Sequence, residues 1–455
     1  MRNVLLLTID ALRARNLSCY GYGRETTPRI DELASRSRVF ERAYTHGTVT
    51  TLAFPAMLGG VHTFAAERIE RRSVSPVLLQ YAFPPYFPSL PELFRSAGYR
   101  TAGFHANALL SYIYGYDRGF DTFYDGLEHK FQIRHRRRWR VSHWLRRYPL
   151  IYRNLLRVRD RISPMPPERV SGELNERALS FIDYGEGPFF VWVHYMDVHH
   201  PMLPSPEHCF EVTGRRFSRA EITHLNRLRF YGDRTKRRRV EDLMAIYDAT
   251  IWETDRWVGD LLDAMDERGL LDDLVVALTS DHGEAFMEHG HLSHPSGNFH
   301  DEQLHVPLII SGNGRGRYTS PVGHVDLAPT LMSMAGLAPS PDFLGTTLPH
   351  EEGVVHSGAR LLDDAVLAIT TSRFRFIWHM EADRVELYDL VDDPGEREDL
   401  SSERRGAVEA FRELGSAHLD TVERRAIDLK MRWRTEAAVR GTDRQEGSKI
   451  TGTDG

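Results

Sequence analysis

Cysteine is almost absent from this chain: Cys19 and Cys209 are the only two in 455 residues. A disulfide framework and a cysteine-rich zinc module are both excluded by that count. Lysine is nearly as scarce, with Lys130, Lys236, Lys430 and Lys449 alone among 58 basic residues. A GC-rich genome suffices to explain the arginine bias, so it carries no functional weight. No run of 18 apolar residues occurs, so no transmembrane helix is expected. No charged segment, long apolar core and small-residue cleavage site precede Val4, and the expected location is therefore cytoplasmic. There is no G-x-S-x-G elbow, and neither cysteine has a catalytic context. The glycine-rich turn at 312–316 lacks the spacing of a P-loop. A net charge of −6 selects no partner by itself.

What the chain does contain is a sizeable core. It is 41% hydrophobic and 27% charged, the balance of a globular protein. Val4–Leu7, Phe189–His194 and Leu274–Leu278 are continuous apolar runs, not alternating ones, which fits parallel strands covered on both faces. Helical spacing appears over 29–37, 90–96, 173–182, 240–268 and 325–335. Residues 38–43 and 101–105 read as further strands, 117–124 as a loop, and 210–240 as a polar surface insertion. Residues 365–390 read as three antiparallel strands, 401–430 as a charged helix, and the tail from 436 as disordered. The expected fold is α/β, with a mostly parallel central sheet flanked by helices and a small C-terminal antiparallel sheet. The expected domains are 1–340, 341–400 and 401–455.

The chemistry concentrates between Leu274 and Ser311. The apolar run stops at Thr279-Ser280-Asp281-His282-Gly283-Glu284, and His289, His291 and His294 follow. An acid beside an imidazole just past a strand is placed where open α/β sheets bind ligands, and it suits a metal ion. Asp10 ends the first strand, where it is either a helix cap or a further ligand. Thr45, Thr48, Thr50 and Thr51 precede an apolar helical stretch ending in Gly59-Gly60. A hydroxyl there is a cap, an anion contact, or, beside a metal, a nucleophile.

These blocks stand in a particular order. Thr8-Ile9-Asp10-Ala11-Leu12-Arg13, Thr26-Thr27-Pro28, Asp197-Val198-His199-His200-Pro201, Ser280-Asp281-His282-Gly283-Glu284, His305-Val306-Pro307-Leu308 and Leu387-Tyr388-Asp389 are collinear over residues 3–400. The chain resembles the sulfatase-like branch of the alkaline phosphatase superfamily. That resemblance implies an alkaline phosphatase/sulfatase-like fold and a metal-dependent hydrolase of phosphate or sulfate esters. It places Asp10, Thr50, Asp281 and His282 on the metal, Thr50 as nucleophile through a covalent intermediate, and His199 and His294 on the substrate anion or leaving group.

Two departures shape the expectation. Formylglycine sulfatases carry Cys or Ser in a C/S-x-P-x-R block, which this chain lacks. The position counted back from Leu58-Gly59-Gly60 is Thr50, with Thr48 and Thr51 close by. Ile9 precedes Asp10 where those sulfatases have two consecutive acids. Threonine nucleophiles occur in the superfamily's phosphodiesterases and its phosphoglycerol and phosphoethanolamine transferases, so transfer onto a glycan or lipid is the alternative activity. Three hard oxygens and one imidazole suit Mn²⁺, Mg²⁺, Ca²⁺ or Zn²⁺. One ion is favoured, and a second on Asp197, His199 and His294 is the variant.

Residues 130–161, within an insertion over 128–165, carry twelve basic residues and one acid, interleaved with Trp139, Trp144, Tyr148 and Tyr152. They read either as a solvated helical hairpin or as a dock for an anionic glycan or lipid surface. No nucleic-acid-binding motif accompanies them. The expected partner is an anionic ester substrate, glycan- or lipid-linked. A rival reading is a non-catalytic sulfatase-like protein that binds anions or glycans.

Overall fold

The computed structural model describes residues 1–62, 82–126, 167–226, 237–312, 314–351, 353–360 and 364–440. The basic segment at 130–161 lies outside them. The centre of the fold is set by three apolar strands, β1 (Asn3–Ile9), β5 (Phe189–Tyr195) and β6 (Leu274–Ser280). Every residue of β5 and β6 is buried, as is every residue of β1 after Asn3. A strand covered on both faces has no need of alternation, which is why the sequence shows none.

Around them stand β2 (Arg38–Phe40), β3 (Arg100–His105), β4 (Thr122–Tyr124), β7 (Leu308–Ile310) and β8 (Gly316–Tyr318). The sheet runs β8-β2-β7-β6-β1-β5-β3-β4. Only β7 is antiparallel to its neighbours. The register matters for function. Ile9 lies opposite Ser280 on one side and Tyr195 on the other, so the chain leaves β1, β5 and β6 at one level.

Alternate residues of β1 face two separate cores. Leu5, Leu7 and Ile9 pack toward α1 (Pro28–Ser35), the helix at Pro167–Asp183 and the long helix at Arg237–Glu267. Val4 and Leu6 pack toward α2 (Thr50–Gly59), the helix at Leu90–Ser96 and the helix at Leu327–Met334. The result is a three-layer α/β sandwich. All ten residues of α2 are buried, so it shows no amphipathic stripe, and Gly60 ends it in the left-handed conformation at φ 59°.

A second sheet is fully antiparallel, in the order Val355–Arg360, Ala365–Thr370, Phe374–His379, Arg384–Asp389. One face (Val366, Ala368, Ile377) packs on Tyr44, Leu52, Phe299 and Leu304 of the first body. The other (Leu367, Ile369, Phe376) packs on the terminal helix Arg405–Arg440 through Val408, Phe411 and Leu419.

Several local expectations are corrected. The C-terminal sheet has four strands, because Val355–Arg360 joins its edge. The loop at 117–124 ends in the edge strand Thr122–Tyr124. Residues 38–43 form two strands, Arg38–Phe40 and Ala43–Tyr44, which pair in different sheets. The polar stretch from 210 contains helices at Pro206–Thr213 and Arg219–Asn226, which bury Cys209, Ile222 and Leu225. Tail disorder was expected from 436, yet the last helix runs to Arg440. Among the described residues no helix is long and apolar enough to cross a membrane.

Candidate active site

Asp10 and Asp281 are the first residues beyond β1 and β6, and the shared register of those strands brings them together. Their loops interlock. Ala11 N–H donates to Asp281 Oδ1 at 3.1 Å and Leu12 N–H to Ser280 Oγ at 2.9 Å. Ala11 holds this turn at φ 59°, an uncommon backbone for a residue with a Cβ. Tyr247 supports it by donating its hydroxyl to Ala11 O at 2.7 Å.

Each of the three side chains is held on one side and bare on the other. Asp10 Oδ2 accepts from Asn107 at 3.0 Å and lies 3.3 Å from His194 Nε2. Asp281 Oδ1 also accepts from His282 N–H at 2.9 Å. His282 Nδ1 donates to Gly283 O at 2.8 Å, which in the neutral ring turns the Nε2 lone pair toward the two acids. Asp10 Oδ1, Asp281 Oδ2 and His282 Nε2 are buried without a hydrogen-bond partner. Nε2 lies 3.7 Å from Asp10 Oδ1 and 3.5 Å from Asp281 Oδ2. That is too long for hydrogen bonding and close to the spacing of ligands sharing one ion at about 2.0–2.2 Å. The residues fit a divalent cation.

The charges agree. Burial and the nearby Asp10 push the Asp281 carboxyl up. Burial opposes the Asp10 anion, but His199, His194 and His282 outweigh it and hold that carboxyl well below its usual range. Burial opposes the His282 cation too, yet Asp281 and Asp10 raise it. Two anions crowded in a dry pocket are the arrangement that a cation relieves.

The threonine-headed helix α2 reaches this corner from two directions. Phe54 packs edge-on against His194, ring centroids 5.1 Å apart, and His194 touches Asp10. On the other side Gln303 Nε2 donates to Thr48 O at 3.1 Å, while Gln303 O accepts Gly283 N–H at 2.8 Å. Gly283 has to be glycine, since a Cβ there would overlap Glu302 O. Thr50 and Thr51 are buried in the first turn of α2, and the buried Thr48 hydroxyl has no hydrogen-bond partner.

The two histidines drawn from distant segments also arrive. The His294 ring lies 4.6 Å from that of His282 and 4.9 Å from that of His199. Glu284 orients His294 through Nδ1 at 3.0 Å. Burial pushes His199 down to about 4, against the pull of Asp10. Asp197 accepts the Ser171 hydroxyl. His289 pairs with Glu302, outside the corner.

Sequence reading missed Ala11, Asn107, His194, Glu284 and Gln303. His194 ends an apolar strand and reads as part of it. Asn107 and Gln303 have no local pattern that marks them.

An α/β body with this polar corner at its strand ends defines an enzyme of the ester-hydrolase type. Residues 2–337 match the Sulfatase family, and the chain belongs to it. It is 23% identical over 429 residues to a Δ4,5-hexuronate-2-O-sulfatase of Bacteroides thetaiotaomicron, covering 88% of this chain and 85% of that protein. It is 31% identical over 193 residues to a choline-sulfatase of Rhizobium meliloti, covering 38% of this chain and 37% of that one. Among solved structures, a protein in complex with its substrate D-glucosamine-2-N,6-O-disulfate superposes with TM-score 0.67 at 17% identity, covering 94% of this chain and 98% of that chain. The phosphonate monoester hydrolase of Agrobacterium radiobacter does so with TM-score 0.64 at 20% identity, covering 93% and 95%. At these identities the structural likeness shows the fold.

Proposed function

We propose that this protein hydrolyses a sulfate or phosphate ester carried on a glycan, with Thr50 as nucleophile. The observation that carries the reading is the meeting of Asp10 Oδ1, Asp281 Oδ2 and His282 Nε2, buried and unpartnered, in a corner that the helix beginning at Thr50 approaches through the packing of Phe54 on His194. A divalent cation held by Asp10, Thr50, Asp281 and His282 would lower the hydroxyl pKa and screen the developing charge. The Thr50 oxygen, its proton released to solvent, attacks sulfur or phosphorus, and the S–O or P–O bond to the alcohol breaks as that oxygen takes a proton from His199 or His294. Water then cleaves the threonyl ester and releases the inorganic anion. An anionic substrate beside His199 favours its protonated form, which readies it for the leaving oxygen.

The glycan part of the reading is supported by the hexuronate sulfatase relative and by the structure holding a sulfated glucosamine. The threonine favours a phosphoester as the second substrate class, since it cannot become formylglycine. Transfer to an acceptor alcohol in place of water is the close variant. The basic stretch 130–161 adds long-range attraction for a polyanion.

The test is turnover of aryl sulfate, aryl phosphate and phosphodiester substrates with Mn²⁺, Zn²⁺ or Ca²⁺, comparing wild type, Thr50→Ala and Thr51→Ala. Thr50→Ala should lose at least about 10³-fold in kcat. No turnover by wild type, or full activity in Thr50→Ala, overturns the reading. Loss in Thr51→Ala alone moves the nucleophile by one residue.

A further inference from the structure

A second group of imidazoles and carboxylates lies where the 286–302 loop meets the C-terminal sheet. His289 and Glu302 come from the first body, with His300 beside them, and Glu386 comes from the strand Arg384–Asp389. One ligand atom from each of His289, His300 and Glu302 falls within 4.8 Å of the others.

The hydrogen bonds around the group orient its two rings, and Glu302, against the effect of burial, raises His289 to about 9, so an entering cation takes the place of a proton there. Asn298 Nδ2 lies 2.9 Å from Glu302 Oε1, and only the amide nitrogen can donate to a carboxylate. Asn298 Oδ1 therefore faces His300, and His300 Nδ1, 2.6 Å away, must carry the proton. His300 Nε2 is buried and lies 3.3 Å from Glu386 Oε2. On the other ring, His289 Nε2 donates to the carbonyl of Glu396 at 2.9 Å. Its Nδ1 then points at both Glu302 oxygens, 2.9 and 3.1 Å away. Glu386 Oε2 is steadied by the Tyr388 hydroxyl at 2.7 Å.

Each imidazole thus has one nitrogen anchored on an oxygen acceptor and the other turned toward carboxylates. That is how outer hydrogen bonds prepare histidines to ligate a metal. Two imidazoles with carboxylate oxygens match zinc better than calcium or magnesium, which prefer all-oxygen sets.

We propose that His289, His300 and Glu302, with Glu386 at the fourth position, form a zinc-type cation site distinct from the corner at Asp10, Asp281 and His282. The ion ties the loop that carries His294 to the C-terminal sheet. The two rings lie parallel, 3.7 Å apart with planes 12° from each other, so one ring tilts when the ion enters. The inference does not depend on the hydrolase reading, since none of these four residues belongs to the proposed catalytic set.

The experiment uses the full chain, stripped with chelator and dialysed against Zn²⁺ alone. Bound zinc is counted by mass spectrometry, and Co²⁺ replaces it for visible absorption. Wild type is compared with Asp281→Asn, His300→Phe and the double variant. His300→Phe keeps a flat ring for the stack and removes the ligand. Wild type should hold two equivalents, each single variant one, and the double variant none. Equal zinc in Asp281→Asn and in the double variant overturns the proposal while leaving the first corner intact. Zinc lost on His300→Phe but not on Asp281→Asn supports this site and counts against the corner. If circular dichroism shows His300→Phe unfolded, Glu302→Gln replaces it, and an unchanged zinc count in Asp281→Asn/Glu302→Gln is then the overturning result.

Discussion

Gln303 joins the two halves of the candidate active site: its side-chain amide holds Thr48 O at 3.1 Å, and its main-chain carbonyl holds Gly283 N–H at 2.8 Å. One buried residue thereby sets the distance between the threonine loop and the Asp281-His282 turn. Gln303→Leu keeps the volume and the main-chain bond but removes the donor to the Thr48 carbonyl, while Pro295 O keeps the Asn298 N–H. An unmet buried acceptor costs about 1–3 kcal/mol in stability. We expect kcat to fall by about ten- to a hundredfold with little change in KM, as a misplaced nucleophile requires. Steady-state kinetics beside urea denaturation separates the two effects, and an unchanged kcat would show that the loop is positioned by other contacts.

Ala11 gives a test of opposite sign. Its φ of 59° lies in the left-handed region, which costs a residue with a Cβ about 1–2 kcal/mol. Glycine relieves that strain but adds freedom to the unfolded chain. Ala11→Gly should therefore be as stable as wild type or more so, by up to about 1 kcal/mol. Chemical denaturation reads this directly. A clear loss of stability would mean that the turn is unstrained.

Acid should weaken the junction of the C-terminal sheet. His46, His62, His356 and His418 meet there, and His356 stacks on His418 with centroids 3.6 Å apart. Burial pushes His62 down to about 4 and His356 down to about 3, and it lowers His46 as well. Folded values below the unfolded 6.5 mean that the unfolded chain binds more protons once the pH drops under 6.5. Stability is then lost progressively toward pH 4 for His62 and toward pH 3 for His356, by up to about 1.4 kcal/mol per pH unit for each buried histidine. Melting temperatures at pH 7.5, 6 and 5 should fall in that order. His62→Phe should flatten the slope, and an unaltered slope would remove His62 from the account.

Arg375 is the buried counterpart on the other side of that sheet. It is fully buried, pairs with Glu396 at 2.7 Å and Asp301 at 3.4 Å, and bonds Thr370 at 3.1 Å. Arg375→Met takes the cation from Glu396 while Asp301 keeps Arg15 and His305, and breaking such a buried pair costs up to about 3–5 kcal/mol. Adding Glu396→Gln should recover part of the loss. Denaturation of both variants measures it, and no recovery in the pair would place the damage in packing.

Much of the frame was legible in the chain itself. Phe189–Tyr195 and Leu274–Ser280 announce themselves because a strand buried on both faces must be apolar throughout. The helix at Arg237–Glu267 shows its 3.6-residue period for the complementary reason, having one face to bury. The strand at Val355–Arg360 was missed because its edge position demands little of its composition.

What the sequence by itself determined is the chemistry offered: acids and an imidazole directly after apolar strands, threonines before a helix, and no C/S-x-P-x-R block. Those are local facts, set by which residue follows which. Only the tertiary structure decided how they meet. The parallel register of β1 and β6 puts Asp10 beside Asp281, far apart as they are in the chain. The folded chain bares His282 Nε2, turns Ala11 to positive φ, and brings His194, Asn107 and Gln303 to the same corner from segments that share no pattern. Packing chooses these partners because a buried polar group has to be satisfied by whatever neighbour the fold supplies.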